Sequence, residues 1–199
     1  MRFSSRETHT DFYAPGDAIV RLLQRERMEM TAGDVKKILG LVPHPREGGF
    51  YIRTYESGEM VPPNSFVDRR YPSSRHTGTA IYYLLEPDTF SEMHRLKSDE
   101  IFHFYAGDPV EMLQLHGNGS GEIVRIGNRL DQAERPQVVV PRNVWQGSHL
   151  APGGEWALLG CTVSPGFEFE DYETESREAL SAGWPAFAPL ICSLTRPTT

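Results

Sequence analysis

Ser91-Glu-Met-His94-Arg-Leu96-Lys-Ser-Asp-Glu100-Ile-Phe102-His103-Phe-Tyr-Ala-Gly107 is the stretch from which the rest of the chain is read. Segments carrying aromatic and apolar residues flank the polar break Lys97-Ser98-Asp99, and the whole reads as two strands and a turn. Two strands joined by such a break would set His94 and Glu100 face to face on one sheet surface. An imidazole and a carboxyl meeting there could hold a metal ion or move a proton. Strand parity sharpens this expectation. If His94 points inward, so do Phe90, Glu92 and Leu96; if Glu100 points inward, so do Phe102 and Phe104. His103 then faces outward with Ile101 and Tyr105, and joins the site if a bulge re-aims it.

Composition narrows the class. The 199 residues are 39% hydrophobic with a mean hydropathy of -0.44, as expected of a water-soluble chain. No apolar run approaches the ~20 residues of a membrane span. The first residues, Met-Arg-Phe-Ser-Ser-Arg, lack the apolar core of a secretory signal. The net charge is -7 and the basic residues do not cluster, so neither nucleic acid nor an anionic membrane is an expected partner. Cys161 and Cys192 form no spaced pattern and read as reduced thiols of a cytoplasmic protein. The 18 glycines and 15 prolines fit many turns and an all-β domain.

Three segments follow in order. Residues 1–30 read as an extension, with a possible helix from Asp17 to Met30. Residues 31–175 read as the β domain, and 176–199 as a short helix and a loosely held tail from Pro185. Thr31-Ala-Gly-Asp34 signals a helix start, and Gly40 its stop, with Val35, Ile38 and Leu39 on one face. Strands are expected at 50–55, 79–85, 90–96, 100–105, 110–116, 122–126, 136–141 and 156–163. Gly117-Asn-Gly-Ser-Gly121 reads as a hairpin and Arg142 to Gly147 as a turn. No long helix separates the strands, which disfavours a parallel α/β sheet.

Histidine, turn, glutamate and glycine in this order resemble the first motif of the cupin superfamily: His94-x-Leu96-x3-Glu100-x6-Gly107 fits its spacing. Leu96 stands where the second histidine would be, and Asp88 where the first glycine would be. Pro141, Asn143 and Gln146 lie where the second motif has proline, glycine and histidine. The chain is similar more specifically to the DUF985 (cupin_5) family, over about residues 31–175. That likeness is carried by Leu41-Val-Pro-His44-Pro with Gly48-Gly-Phe-Tyr51, and by His94 to Gly107. Val140-Pro141 with Trp145-Gln146 and Gly160 to Phe169 complete it. The resemblance implies a double-stranded β-helix, the jelly-roll barrel, with one or two N-terminal helices. It also implies a homodimer, and it specifies no reaction.

Three chemistries are open at the site. His94, Glu100 and Gln146 could ligate a divalent Mn, Fe, Ni or Zn ion, although an amide oxygen is a weak ligand. Without metal, His94 and Glu100 form an acid–base pair. Metal-free epimerases of the cupin type pair such a histidine with a tyrosine, for which Tyr82 is the first candidate and Tyr51 and Tyr83 the others. Tyr51, Arg53, His103, Trp145 and Phe167 are the expected ligand contacts, with Arg53 suited to an anionic group. Arg75 and Arg95 read as exposed, Cys161 as an inert strand residue, and His44 as a neighbour of the cavity. The leading expectation is an isomerase or epimerase acting on a small polar metabolite, ahead of a metal-dependent lyase or oxygenase. The rival is a barrel that binds a metabolite without transforming it.

Overall fold

Helix α1 (Ala32–Leu39) opens the part of the chain that the computed structural model describes, residues 30–197. The expected helix from Asp17 falls, but for Met30, outside the described residues. Thr31 caps α1 reciprocally: Asp34 N–H donates to Thr31 Oγ1 at 3.2 Å and Thr31 N–H donates to Asp34 Oδ2 at 3.1 Å. Gly40 closes it in the left-handed conformation, φ 67°. Val35 is buried against Leu41 and Leu84, whereas Ile38, expected on the same face, points to solvent at 68% exposure. A helix this short buries one stripe, and here Val35 alone is fully covered.

Thirteen strands follow: β1 (Val42–Pro43), β2 (Phe50–Glu56), β3 (Met60–Val61), β4 (Arg75–His76), β5 (Thr79–Leu85), β6 (Phe90–Arg95), β7 (Asp99–Gly107), β8 (Val110–Leu115), β9 (Gly121–Ile126), β10 (Gln137–Val140), β11 (Trp145–Leu150), β12 (Ala157–Ser164) and β13 (Glu173–Thr174). A six-stranded antiparallel sheet, β1-β2-β5-β12-β7-β10, packs on a five-stranded one, β13-β6-β11-β8-β9. Their facing side chains, among them Phe102, Met112, Ile126, Val138 and Leu159, form the main core. The architecture is the all-β jelly roll that the family resemblance implied.

Two expectations about the deciding stretch need correction. β6 and β7 are not paired with each other: β6 lies between β13 and β11, and β7 between β12 and β10. Lys97 and Ser98 carry the chain from one sheet to the other, so His94 and Glu100 meet across the sandwich and not across a hairpin. Residues 145–147, expected as the end of a turn, open β11, which runs to Leu150 in the centre of the smaller sheet. Gln-Gly-Ser-His has little strand propensity, and burial on both faces overrides it.

A bulge in β6 shifts the parity. Gln146 pairs with His94 and Ser148 with Ser91, so Glu92 and Met93 together oppose Gly147. A Cβ on Gly147 would come within 2.7 Å of Met93 Sδ and 3.1 Å of the Ser91 carbonyl oxygen, so a side chain there would displace Met93. Phe90 therefore packs in the outer cluster and does not share His94's face.

That outer cluster also corrects the tail. Helices α2 (Arg177–Gly183) and α3 (Ala188–Ser193) lay Leu180, Ile191 and Leu194, each at most 1% exposed, onto Met93, Leu113, Leu115 and Trp145. Each such side chain contributes about 1.5–3 kcal/mol by burial, so the proline-rich end is held firmly.

Candidate active site

A cavity of 410 Å³ opens at one end of the sandwich. His94, Glu100 and Cys161 line it together with His44, Glu47 and Tyr51, and Arg53, Phe167, Glu168 and Phe169 also border it. Apolar walls come from Ile81, Leu96 and Val163. Leu96 thus occupies the interior, as expected where the motif's second histidine is missing.

His94 projects from β6 and Glu100 from β7, with Gln146 of β11 between them. Gln146 Nε2 donates to Glu100 Oε2 at 2.5 Å and to His94 Nε2 at 3.3 Å. His94 Nδ1–H donates to the carbonyl of Glu92 at 2.7 Å. A carbonyl only accepts, so the neutral ring carries its proton on Nδ1, and its Nε2 lone pair accepts from the Gln146 amide. Tyr172 stacks on this ring at 4.8 Å and 22° between planes, fixing its orientation. Burial, reinforced by the nearby Glu47, pushes the Glu100 carboxyl up to about 8, so it holds its proton at neutral pH. The floor therefore combines a proton acceptor and a proton donor, both at least nine-tenths buried.

The loop between β1 and β2 supplies two groups that the strand pattern did not single out as central. His44 and Glu47 are carried in by Pro43-His-Pro-Arg-Glu-Gly48. The turn is closed by His44 N–H donating to Gly49 O at 3.0 Å. Gly48, at φ 101°, is required there: a Cβ would lie 2.3 Å from the carbonyl oxygen of Phe90. His44 Nδ1 accepts from Glu47 N–H at 2.8 Å, which leaves the proton of the neutral ring on Nε2. Burial holds the His44 imidazole below its ordinary pKa. Glu47 Oε1 accepts from Ser91 Oγ at 2.5 Å. The rigid Pro43-His44-Pro45 marks His44 in the sequence, whereas Glu47, after Arg46, carries no such signal.

The structure separates several expected site residues from the cavity. Tyr82 lies on the outer face of the larger sheet, edge-on to Tyr105 at 5.8 Å. His103 shares that outer face, its Nε2 3.3 Å from Thr162 Oγ1, because β7 keeps its parity from Glu100 through His103. Trp145 belongs to the outer cluster beneath the C-terminal helices, under the Arg95 guanidinium at 4.6 Å. Arg75, expected to be exposed, is 1% exposed and ion-paired with Asp171 and Glu170. Tyr51, Arg53 and Phe167 do border the cavity. Tyr83 is spent on the loop, its hydroxyl donating to Gly48 O at 2.9 Å.

The expected ligand set of His94, Glu100 and Gln146 does not fit a firmly held divalent ion. The Gln146 amide N–H₂ fills the space that a shared ion would take and donates to both other groups. No group of three His, Cys, Asp or Glu side chains among the described residues is arranged to hold a metal.

Fold and interior together define a cupin: two antiparallel sheets around a cavity floored by the motif histidine and glutamate. The chain belongs to the DUF985 family of the cupin superfamily, whose model matches residues 34–175. It is 30% identical over 139 residues to the uncharacterized protein YML079W of Saccharomyces cerevisiae, covering 66% of this chain and 69% of that one. Among solved structures it is similar to protein SO0799 from Shewanella oneidensis, at 36% identity and a TM-score of 0.73. It is likewise similar to a hypothetical protein from Leishmania major, at 31% identity and a TM-score of 0.75. Each likeness covers 84% of this chain and 99% of the other. No helix among the described residues is long and apolar enough to cross a membrane.

The raised Glu100 carboxyl makes stability depend on pH. The folded protein binds this proton more tightly than the unfolded chain, whose ordinary value is 4.5. The stabilisation is complete below that value and is lost as pH rises through about 8. Glu100→Gln, which keeps the acceptor for Gln146 but cannot ionise, should flatten the fall in melting temperature over this window. An unchanged slope in the variant would place the titrating group elsewhere.

Proposed function

We propose that this cupin is a small-molecule isomerase or epimerase that moves a proton beside a carbonyl without a metal. The observation that carries the reading is the floor of the cavity. His94 Nε2 presents a lone pair beside a carboxyl that keeps its proton at neutral pH, and Gln146 holds both. With the long Gln146 contact to Nε2 displaced by substrate, His94 would take the proton from carbon, and the Glu100 carboxyl would donate to the developing enolate oxygen. Tyr51, which borders the cavity, replaces Tyr82 as the tyrosine able to return a proton to the opposite face. The apolar walls exclude water from the reacting centre and strengthen the hydrogen bonds there.

Isotope exchange tests this on a mixture of metabolites, with no single substrate chosen in advance. Protein is incubated in heavy water with a deproteinised metabolite extract, and deuterium on carbon is read by mass spectrometry. Uptake at the carbon next to a carbonyl, dependent on the protein, is the expected result. No uptake into any metabolite would overturn the reading and leave a barrel that only binds.

A further inference from the structure

The cavity carries an unbalanced charge. Three carboxyls line it, and with Glu100 holding its proton, Glu47 and Glu168 stand against one guanidinium, Arg53. Arg53 is already committed, donating to Glu56 and to the carbonyl of Phe167. Of two other arginines near the opening, Arg196 pairs with Glu92 at 3.2 Å, whereas Arg46, among the described residues, donates only to Phe169 O at 3.4 Å and lies over the Phe169 ring at 5.1 Å. Glu47 is the telling group. Its side chain is 13% exposed, yet no lysine or arginine among the described residues pairs with it. Its nearest basic nitrogen is His44 Nε2 at 3.9 Å, on a ring whose pKa burial lowers. A nearly buried carboxylate without a cation is costly, and such groups in folded proteins are ordinarily paired.

Aromatic rings surround the same space. His44 and Tyr51 meet at 4.5 Å, His44 and Phe169 at 6.2 Å, and Phe167 and Phe169 at 5.2 Å. Aromatic faces attract organic cations, and carboxylates beside them add to the effect. An anionic ligand would instead meet the Glu47 and Glu168 carboxyls, and the guanidinium near them without a carboxylate partner among the described residues, Arg46, is already seated on Phe169.

We propose that the ligand of this cavity is a small organic cation, an amine or quaternary ammonium compound, seated between Glu47 and the rings of His44, Tyr51, Phe167 and Phe169. The proposal rests on the reading of the cavity as the reaction site and adds the class of substrate: a carbonyl compound that also carries an ammonium group. It reverses the expectation that Arg53 anchors an anion.

Paired probes test it by calorimetry: choline against its uncharged isostere neohexanol, and glucosamine against glucose. The charged member of each pair should bind at least about tenfold more tightly, and Glu47→Gln should remove that preference. Glu168→Gln, at the rim, should reduce it in part, which keeps the test informative if Glu47→Gln does not fold. Equal or tighter binding of the neutral members overturns the proposal, as does the absence of saturable binding by either cation at millimolar concentration. Neutral probes binding while deuterium exchange persists would remove the cation and leave the proton-transfer reading. Cation binding with no exchange in any metabolite would do the reverse.

Discussion

His94→Ala is expected to lower protein-dependent deuterium uptake by about 10²–10⁴-fold, the usual contribution of a positioned general base. Neither His44 nor Gln146 can replace the lone pair at Nε2, and Glu47, a further acceptor lining the cavity, already accepts from Ser91 Oγ. His44 is protonated on the nitrogen nearest Glu47, and Gln146 is a donor to both of its partners. The variant also leaves the Glu92 carbonyl and one Gln146 N–H without their partner, at a cost of about 1–3 kcal/mol. Thermal unfolding read alongside the exchange rate separates the two effects. A folded variant with no exchange supports the assignment. A folded variant with undiminished exchange would remove His94 from the chemistry. Glu100→Gln should reduce exchange as well, while unfolding no earlier than the parent at neutral pH. A stable protein that has lost turnover distinguishes a reacting group from a merely structural one.

Arg75→Ala should destabilise the fold by about 3–5 kcal/mol, the range for removing one partner of a buried ion pair. Arg75 Nε donates to Asp171 Oδ2 at 2.7 Å and Nη2 to Asp171 Oδ1 at 3.0 Å, a bidentate clasp. Nη1 donates to the carbonyls of Ser73 and Ser74 at 3.2 and 3.0 Å. Both charged side chains are at most 3% exposed, and the remaining cation near Asp171 is Lys97 at 3.5 Å. Arg75→Lys cannot reproduce the fork and should recover little. Replacing both partners, Arg75→Met with Asp171→Leu, should recover most of the loss, because no buried charge is then left unpaired. Urea titration measures all of these. A loss under about 1 kcal/mol for Arg75→Ala would show that the pair is solvated in solution.

The parts of this molecule legible in its sequence were those governed by local rules. The capping box at Thr31, the stop at Gly40 and the hairpin at Gly117–Gly121 all depend on neighbours along the chain. So did the inward face of β7, because an unbroken strand keeps its parity from Glu100 through Phe102. The cavity's central pair, His94 and Glu100, followed from the motif spacing. What failed depended on partners distant in sequence. The bulge that sends Phe90 outward exists because Gly147, on a strand with weak propensity, leaves room for Met93. Tyr82 looked usable until β12 and β7 placed it with Tyr105 on the outer face. Trp145 could not be assigned to the outer cluster without the C-terminal helices, whose proline content had suggested a loose end. Glu47 and Tyr172 enter through loops, where no periodicity marks an inward direction.

His94 stands on one sheet of the sandwich and Glu100 on the other, so the gap between them is set by how thick the filling between the sheets is. Phe102, Met112 and Leu159 are that filling. They act as spacers in a calliper whose jaws are the imidazole and the carboxyl. A methylene added or removed there alters the reach between two groups that neither residue needs to touch. Relatives with the same floor could therefore be tuned to ligands of different girth through their cores alone.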